Sequence, residues 1–276
     1  MSVTNLCLEI TNKCYQNCIH CSSMSSAESN DFLSLTDIDN ILNQLIPLGL
    51  QNISISGGEP FLHKDFIQIL NLIHDKKITY QIYTCGYGYD FDINKLVELG
   101  CAKVIFSLHD FKSQYVISRT SRFDEVFDKI QKFSEKIPVE IHTVPMTKNF
   151  SELDELVSYL SQYKISFLKL IPQGRATKDL LLTKEQEDVL YNKLAGKNIR
   201  FGAPWQKGEK CTVAQNKLLI TSDGFVLPCE AFKHMKNKCE SIYDKKIIDV
   251  LNNDLFSFLR KINKGNVCLG RKMLND

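Results

Sequence analysis

Three cysteines stand within eight residues, at Cys14, Cys18 and Cys21, just after the apolar run Leu6–Ile10. A loop with three soft thiolates in a CxxxCxxC spacing suits zinc or an iron–sulfur cluster. A fourth cysteine would close either site, but the next one, Cys85, is far along the chain. His20 is too close to Cys18 and Cys21 for comfortable tetrahedral zinc geometry. A four-iron cluster held by three cysteines keeps one iron open to a substrate or cofactor, so the spacing points to chemistry more than to a structural staple.

A second signal follows. Asn52–Ser56 (NISIS) reads as a short buried strand running into Gly57-Gly58-Glu59-Pro60. Two glycines allow close backbone approach, and Glu59 sets an anion beside them where a cationic amine would fit. The CxxxCxxC loop and the later GGEP together closely resemble the radical SAM superfamily. That resemblance implies that Cys14, Cys18 and Cys21 hold a [4Fe–4S] cluster with an open iron, chelated by S-adenosylmethionine (SAM). It implies that Gly57, Gly58 and Glu59 line the methionine end of SAM and that His20 flanks the adenine. It further implies reductive cleavage of SAM to a 5′-deoxyadenosyl radical, which abstracts hydrogen from a substrate. An electron donor such as flavodoxin or ferredoxin is implied as a partner.

The chain has 276 residues and a formal charge of +2. That length suits one large domain with a small appendage. The near-neutral balance gives no strong pull toward nucleic acid or membranes. The start, MSVTNLCLEI, has no basic signal-peptide region, and no apolar stretch reaches a membrane span. Ten cysteines without a secretory signal argue for metal binding or reduced thiols rather than disulfides. A cytoplasmic, oxygen-sensitive protein is expected.

Strand-like and helix-like segments alternate, the pattern of an α/β fold with a parallel sheet. Strands are expected at Leu6–Ile10, Ile53–Ser56, Ile78–Thr84, Lys103–Leu108, Val139–Val144 and Ile165–Ile171. Helices are expected at Leu35–Pro47, Lys64–Asp75, Ile93–Leu99, Phe123–Ser134, Leu153–Tyr163 and Thr183–Leu194. Alternation alone allows a doubly wound sheet, whereas the resemblance implies a partial (β/α)6 TIM-like barrel over residues 1–196. The rhythm stops near 196–210, where Gly196, Gly202, Pro204 and Gly208 cluster. Residues 197–276 read as a second module, a β-hairpin around Ser222-Asp223-Gly224 followed by a helix over Ile247–Ile262.

That module carries a second cysteine set. Cys211, Gly224 and Cys229 form a C-x12-G-x4-C frame. It resembles the auxiliary-cluster module of many radical SAM enzymes, of the SPASM or shorter twitch type. A second iron–sulfur cluster is implied, held by Cys211, Cys229 and Cys268, with Cys239 a further candidate. Cys268 has no CxxC partner, so the thiols are too few for a full two-cluster module; a zinc clip or free cysteines is the other reading. Cys7, Cys85 and Cys101 suit core packing. Cys85 is the least settled of these, because it ends a strand where α/β barrels build sites.

Several strands carry polar residues where a core would want apolar ones. Glu9, Gln81, Tyr83, Ser107, Glu140, His142 and Lys169 are the examples. A buried charge is costly without a partner, so these face a ligand-filled lumen or form a pair such as Glu9 with Lys169. Glu9, Glu140 and His142 are the candidate catalytic residues. Ser107, Arg119 and Arg175 are candidates for the methionine carboxylate. Acidic lumen groups suit a substrate with an amine. Few residues precede Cys14, which leaves no room for the N-terminal peptide-recognition domain common in peptide-modifying members, so a small-molecule substrate is expected. The compact layout is similar to the queuine lyases, which implies a deazapurine substrate and release of preQ1 from queuine. A peptide maturase forming a crosslink or epimer is the alternative. A non-catalytic electron-transfer protein has no use for GGEP.

Overall fold

The computed structural model describes residues 2–109, 111–194, 196–202, 205, 211–265 and 267–274. Pro204 and Gly208 of the expected break lie outside the described residues. Six strands alternate with helices in the first part: β1 (Asn5–Thr11), β2 (Asn52–Gly57), β3 (Thr79–Thr84), β4 (Lys103–Ser107), β5 (Val139–Thr143) and β6 (Lys164–Phe167). The helices are α1 (Leu35–Leu45), α2 (Phe66–Asp75), α3 (Ile93–Glu98), the short α4 (Gln114–Ser118), α5 (Phe123–Ser134), α6 (Leu153–Tyr159) and α7 (Lys184–Leu194).

Sequence pattern explains the elements. In α1, Ser34 accepts from the Asp37 N–H while the Asp37 carboxylate accepts from the Ser34 N–H. This reciprocal cap satisfies two orphan donors. Ile38, Ile41, Leu42 and Leu45 then bury one face. Each such side chain contributes about 1.5–3 kcal/mol on full burial. In β1, Leu6, Leu8 and Ile10 are buried, while the alternate residues Cys7 and Glu9 line an interior cavity. In β3, Tyr80 and Ile82 are buried, and Tyr83 lines that cavity.

The sheet runs beyond six strands. Strand β7 (Ile199–Phe201) pairs parallel with β6, just past the expected module boundary. At the other edge β8 (Lys217–Ile220) pairs parallel with β1, and β9 (Val226–Leu227) pairs antiparallel with β8. The order is β7-β6-β5-β4-β3-β2-β1-β8-β9, an open sheet that does not close into a full barrel. The expected hairpin is therefore part of the same sheet. Two further expectations change. Strand β6 ends at Phe167 rather than Ile171, and the chain then crosses toward the cysteine loop. The expected helix over Ile247–Ile262 is split into α8 (Ile247–Leu251) and α9 (Asp254–Ile262). Asn253 separates them because its side chain caps α9 at the Phe256 N–H, 2.9 Å away. A 3-10 segment (Glu230–Lys238) and a final turn, α10 (Leu269–Lys272), complete the chain. Among the described residues, no helix is long and apolar enough to cross a membrane.

Candidate active site

The loop after β1 carries the first thiol set at the carboxyl end of the parallel strands, where α/β barrels place their chemistry. It is pinned from several sides. The Cys14 N–H donates to Ser26 O at 2.9 Å, and the Asn17 and Ile19 N–H groups donate to Ser118 O and Ile117 O, both at 3.0 Å. Arg175 braces it most heavily: its Nε donates to Cys18 O at 2.8 Å, its Nη2 to Ser25 O at 2.8 Å, and its backbone N–H to Cys21 O at 3.0 Å. Gly174 makes this approach possible. Its φ is +64°, and a Cβ there would stand 2.5 Å from Cys21 O.

Burial raises the Cys18 thiol well above its ordinary value, and the neighbouring Cys21 and Cys14 push the same way. Three thiolates so close are unfavourable until cationic iron shares their charge. No three His, Cys, Asp or Glu side chains among the described residues converge on a single-ion site. All three thiols line one cavity, and three soft thiolates with no fourth protein ligand in the loop leave a position open for a further ligand. The donor set thus fits a [4Fe–4S] cluster better than a lone zinc ion.

Gly57 and Gly58 carry the end of β2 against the start of this loop. Their N–H and neighbouring groups knit to Thr11 and Lys13: Gly58 N–H donates to Thr11 O at 2.7 Å and Glu59 N–H to Lys13 O at 2.8 Å. Gly57 has φ +146°, and the nearest atoms to an added Cβ at either glycine are backbone. Both glycines line the cavity, but Glu59 does not. Its carboxylate is fully buried and turns to β3, accepting from Thr84 Oγ1 at 2.9 Å and the Cys85 N–H at 2.8 Å. Burial pushes Glu59 up to about 7, against the pull of those donors. Glu59 therefore locks the glycine turn to the neighbouring strand.

The expected adenine and carboxylate contacts divide. His20 lines the cavity, stands edge-on to His109 with ring centroids 4.1 Å apart, and has a buried Nδ1 without a partner among the described residues. Burial, then Arg175, lowers its pKa to about 4, so the ring is neutral. An unpartnered neutral imidazole beside the thiol loop suits a cofactor edge. Ser107 and Arg175 line the cavity. Arg119 is exposed at the C-cap of α4 and does not line it.

The candidate catalytic residues also separate. His142 lines the cavity, but Glu140, one pleat deeper on β5, does not. Glu140 accepts from Lys103 Nζ and Ser166 Oγ, both at 2.6 Å, and sits 3.2 Å from His142 Nε2. Burial opposes its ionisation, but these partners outweigh it and hold the carboxyl well below the usual range. Glu140 is a floor anchor that orients His142. Glu9 does line the cavity, and Ser23 Oγ donates to its Oε1 at 2.9 Å. The expected Glu9–Lys169 pair is not formed. Glu9 pairs with Lys233 of the second module, and Lys169 pairs with Glu187 at 2.6 Å.

Cys211, Cys229 and Cys268 all line the same cavity as the first thiol set. Asn263 Nδ2 holds Cys211 O at 2.8 Å, and the packing of Gly270 on Ala231 brings α10 alongside the segment after Cys229. Cys239 stands apart: it is buried, points to Met235 O at 3.5 Å, and does not line the cavity. Three of the four candidate cysteines of the second set thus share the cavity. Cys7 and Cys85, expected as core residues, are buried but also line the cavity. The cavity volume is about 1040 Å3. This slightly exceeds the roughly 300–1,000 Å3 of a single small-molecule site, which leaves room for cofactor and substrate.

Sequence reasoning missed four contributors, the first three of them polar. Gln173 Nε2 donates to Glu230 O at 2.7 Å, Lys217 pairs with Glu230 at 2.8 Å, and Lys233 pairs with Glu9. All are long-range, and no local motif marks them. Trp205, whose buried indole N–H has no partner among the described residues, lines the cavity beside Lys169. As the chain's single tryptophan near a composition break, it was the one findable signal.

Comparison with known proteins agrees with this geometry. A family profile described as the radical SAM superfamily matches residues 8–160, and one described as an iron–sulfur cluster-binding domain (SPASM) matches residues 211–270. A GTP 3′,8-cyclase of Clostridium botulinum is 25% identical, covering 92% of this chain and 90% of that protein. A GTP 3′,8-cyclase of Clostridium acetobutylicum is 24% identical over 99% and 96%. Among solved structures, Streptococcus suis SuiB bound to S-adenosylmethionine superposes with a TM-score of 0.77 at 20% identity, covering 94% of this chain and 68% of that one. BtrN in complex with AdoMet and 2-DOIA gives 0.55 at 21% identity, over 96% and 89%. With its open-iron thiol loop, glycine turn and auxiliary thiols around one cavity, this chain belongs to the radical SAM superfamily, as an enzyme with a [4Fe–4S] cluster, SAM and a SPASM-type module.

Proposed function

We propose that the enzyme acts on a small purine-like molecule, and specifically that it releases preQ1 from queuine. The observation that carries this reading is the single cavity into which both thiol sets and a short-chain polar lumen open. Ser54, Ser56, Tyr83 and Ser107 line it between the thiols. Such a wall suits a flat, hydrogen-bonding bicycle. The relatives named GTP 3′,8-cyclase span nearly the same length, and by that name they act on a purine nucleotide.

The cluster and SAM together supply the one-electron chemistry that removes a hydrogen atom from the substrate, with an electron donor of flavodoxin or ferredoxin type. The chain's own residues bind and orient. Glu9 Oε2 forms no hydrogen bond among the described residues, which leaves an acceptor for a substrate amine or ring N–H. His142, fixed through Nε2 by Glu140, has a buried Nδ1 with no partner among the described residues. It suits a second donor of the substrate. Tyr83, whose ring centroid is 5.4 Å from that of His142, offers an aromatic wall. Binding of SAM and substrate side by side in this cavity holds the reacting atoms close.

The test is anaerobic incubation with queuine, SAM and a strong reductant, with GTP and a genomically adjacent peptide in parallel. Mass spectrometry should find preQ1 and 5′-deoxyadenosine with queuine. Turnover of GTP or the peptide, with neither binding nor turnover of queuine, overturns the reading.

A further inference from the structure

Lys233 leaves the 3-10 segment of the second module and enters the wall of the active-site cavity. Its ammonium contacts Glu9 Oε1 and Ser23 Oγ and lies 3.4 Å from Ser22 Oγ. Ser22 and Ser23 follow Cys21 directly. Both charged side chains are sequestered, with 10% of Lys233 and 9% of Glu9 exposed. Burial disfavours the ammonium, but Glu9 beside it outweighs burial, so Lys233 stays charged.

A buried pair of this kind is poor evidence for stability, because desolvation offsets attraction. Its position is what matters. One end is held on β1, the middle grips the cysteine loop behind Cys21, and the other end belongs to the module that carries Cys229. A second bridge runs nearby from the same segment: Gln173 Nε2 donates to Glu230 O at 2.7 Å, and the His234 N–H donates to Gln173 Oε1 at 3.3 Å. Gln173 is two residues before Arg175, which braces Cys18. The second module thus touches the first thiol loop through a charged arm and a neutral arm.

We propose that Lys233 is a positioning residue through which the SPASM-type module sets the loop geometry and the reduction potential of the SAM cluster. Reduction adds negative charge to the cluster, and Lys233 offsets the buried Glu9 carboxylate that would otherwise oppose the added electron across a low-dielectric wall. Removing only the ammonium leaves Glu9 as an uncompensated buried anion beside the loop, which opposes the incoming electron. Removing both charges restores neutrality. The inference rests on the cluster held by Cys14, Cys18 and Cys21 and is independent of the substrate.

The test uses the full chain with both clusters reconstituted anaerobically and no substrate present. The variants are Lys233→Met, Lys233→Arg, the double Glu9→Gln/Lys233→Met, and Lys112→Met as an exposed-lysine control. Redox titration followed by electron paramagnetic resonance reads the midpoint potential of the cluster whose signal changes on adding SAM. Lys233→Met should shift that potential lower and weaken the SAM-induced change. Lys233→Arg should restore both, and the double variant should return the potential toward that of the unaltered protein. If Lys233→Met fails to hold iron, the arginine and double variants carry the comparison. A Lys233→Met potential equal to that of the control, an arginine variant as impaired as the methionine one, or a double variant shifted as far as the single overturns the proposal.

Discussion

Arg175 and Cys18, 157 positions apart in sequence, are joined by an Nε-to-carbonyl hydrogen bond of 2.8 Å. The residue expected to receive the methionine carboxylate therefore supports the cluster loop through its backbone. The peptide around Arg175 behaves as a clamp that closes on the loop from the end of β6.

Gly174→Ala tests that clamp. The left-handed conformation costs about 1–2 kcal/mol for an L-residue, and the new methyl would stand 2.5 Å from Cys21 O. The variant should bind less iron at the first site and lose SAM cleavage, while retaining the auxiliary iron. Iron analysis and electron paramagnetic resonance measure this. Unchanged occupancy at both sites would mean that the clamp yields freely.

The two thiol sets should be separable. Replacing Cys14, Cys18 and Cys21 with alanine should abolish cleavage of SAM to 5′-deoxyadenosine. Replacing Cys211, Cys229 and Cys268 should reduce bound iron from about eight to about four per chain, if both clusters are of the four-iron type. Cys239→Ala should leave the iron content unchanged, because this thiol points away from the cavity. Loss of auxiliary iron in Cys239→Ala would instead make it a ligand.

Glu140→Gln should act on stability. The carboxylate holds Lys103 and Ser166 at 2.6 Å and orients His142. Hydrogen bonds to a charged group contribute about 1.5–3 kcal/mol each, so the melting temperature should fall by several degrees, with SAM affinity unaltered. An unchanged melt together with lost SAM binding would move Glu140 from the floor of the site into the cofactor contacts.

Glu59 supplies a pH signature. Burial raises it to about 7 from an ordinary 4.5, so the folded chain keeps a proton that the unfolded chain releases between those values. Its contribution is fully present below pH 4.5 and is lost as pH rises through 7, a decline of about 3 kcal/mol. Denaturant titrations from pH 5 to 8 should show that decline in the unaltered protein. In Glu59→Gln, which carries no titrating carboxyl, the slope should flatten. Parallel slopes in the two proteins would show that burial does not hold the proton.

Much of this was legible in the chain. The CxxxCxxC loop, GGEP and C-x12-G-x4-C frame each concentrate their chemistry within a few residues, so local spacing exposes them. The helical periods of α1 and α5 and the alternation of β1 and β3 are equally local. Pair assignments were not legible. Glu9 has Lys233 as its partner and Lys169 has Glu187, and both choices follow from where distant segments dock. Glu59 was correctly placed beside the glycines, but which way its side chain turns depends on Thr84 and Cys85, on another strand. Arg119 and Arg175 were alike as sequence, and only the crossing after β6 separates the exposed one from the clamp.

Strand β1 lies between β2 and β8, with Asn5 opposite both Asn52 and Lys217. One flank of β1 is thus completed by a near neighbour in sequence and the other by a segment made long afterwards. Pairings of such separation form slowly, and synthesis runs from the N-terminus. During translation, Cys14, Cys18 and Cys21 emerge early and hang from a strand whose second edge stays open until residues 217–220 leave the ribosome. A ribosome-bound intermediate or a chain truncated before Lys217 carries the first set of iron ligands without the frame that fixes them. The frame around the first thiol set is in this way finished only when β8 has joined β1.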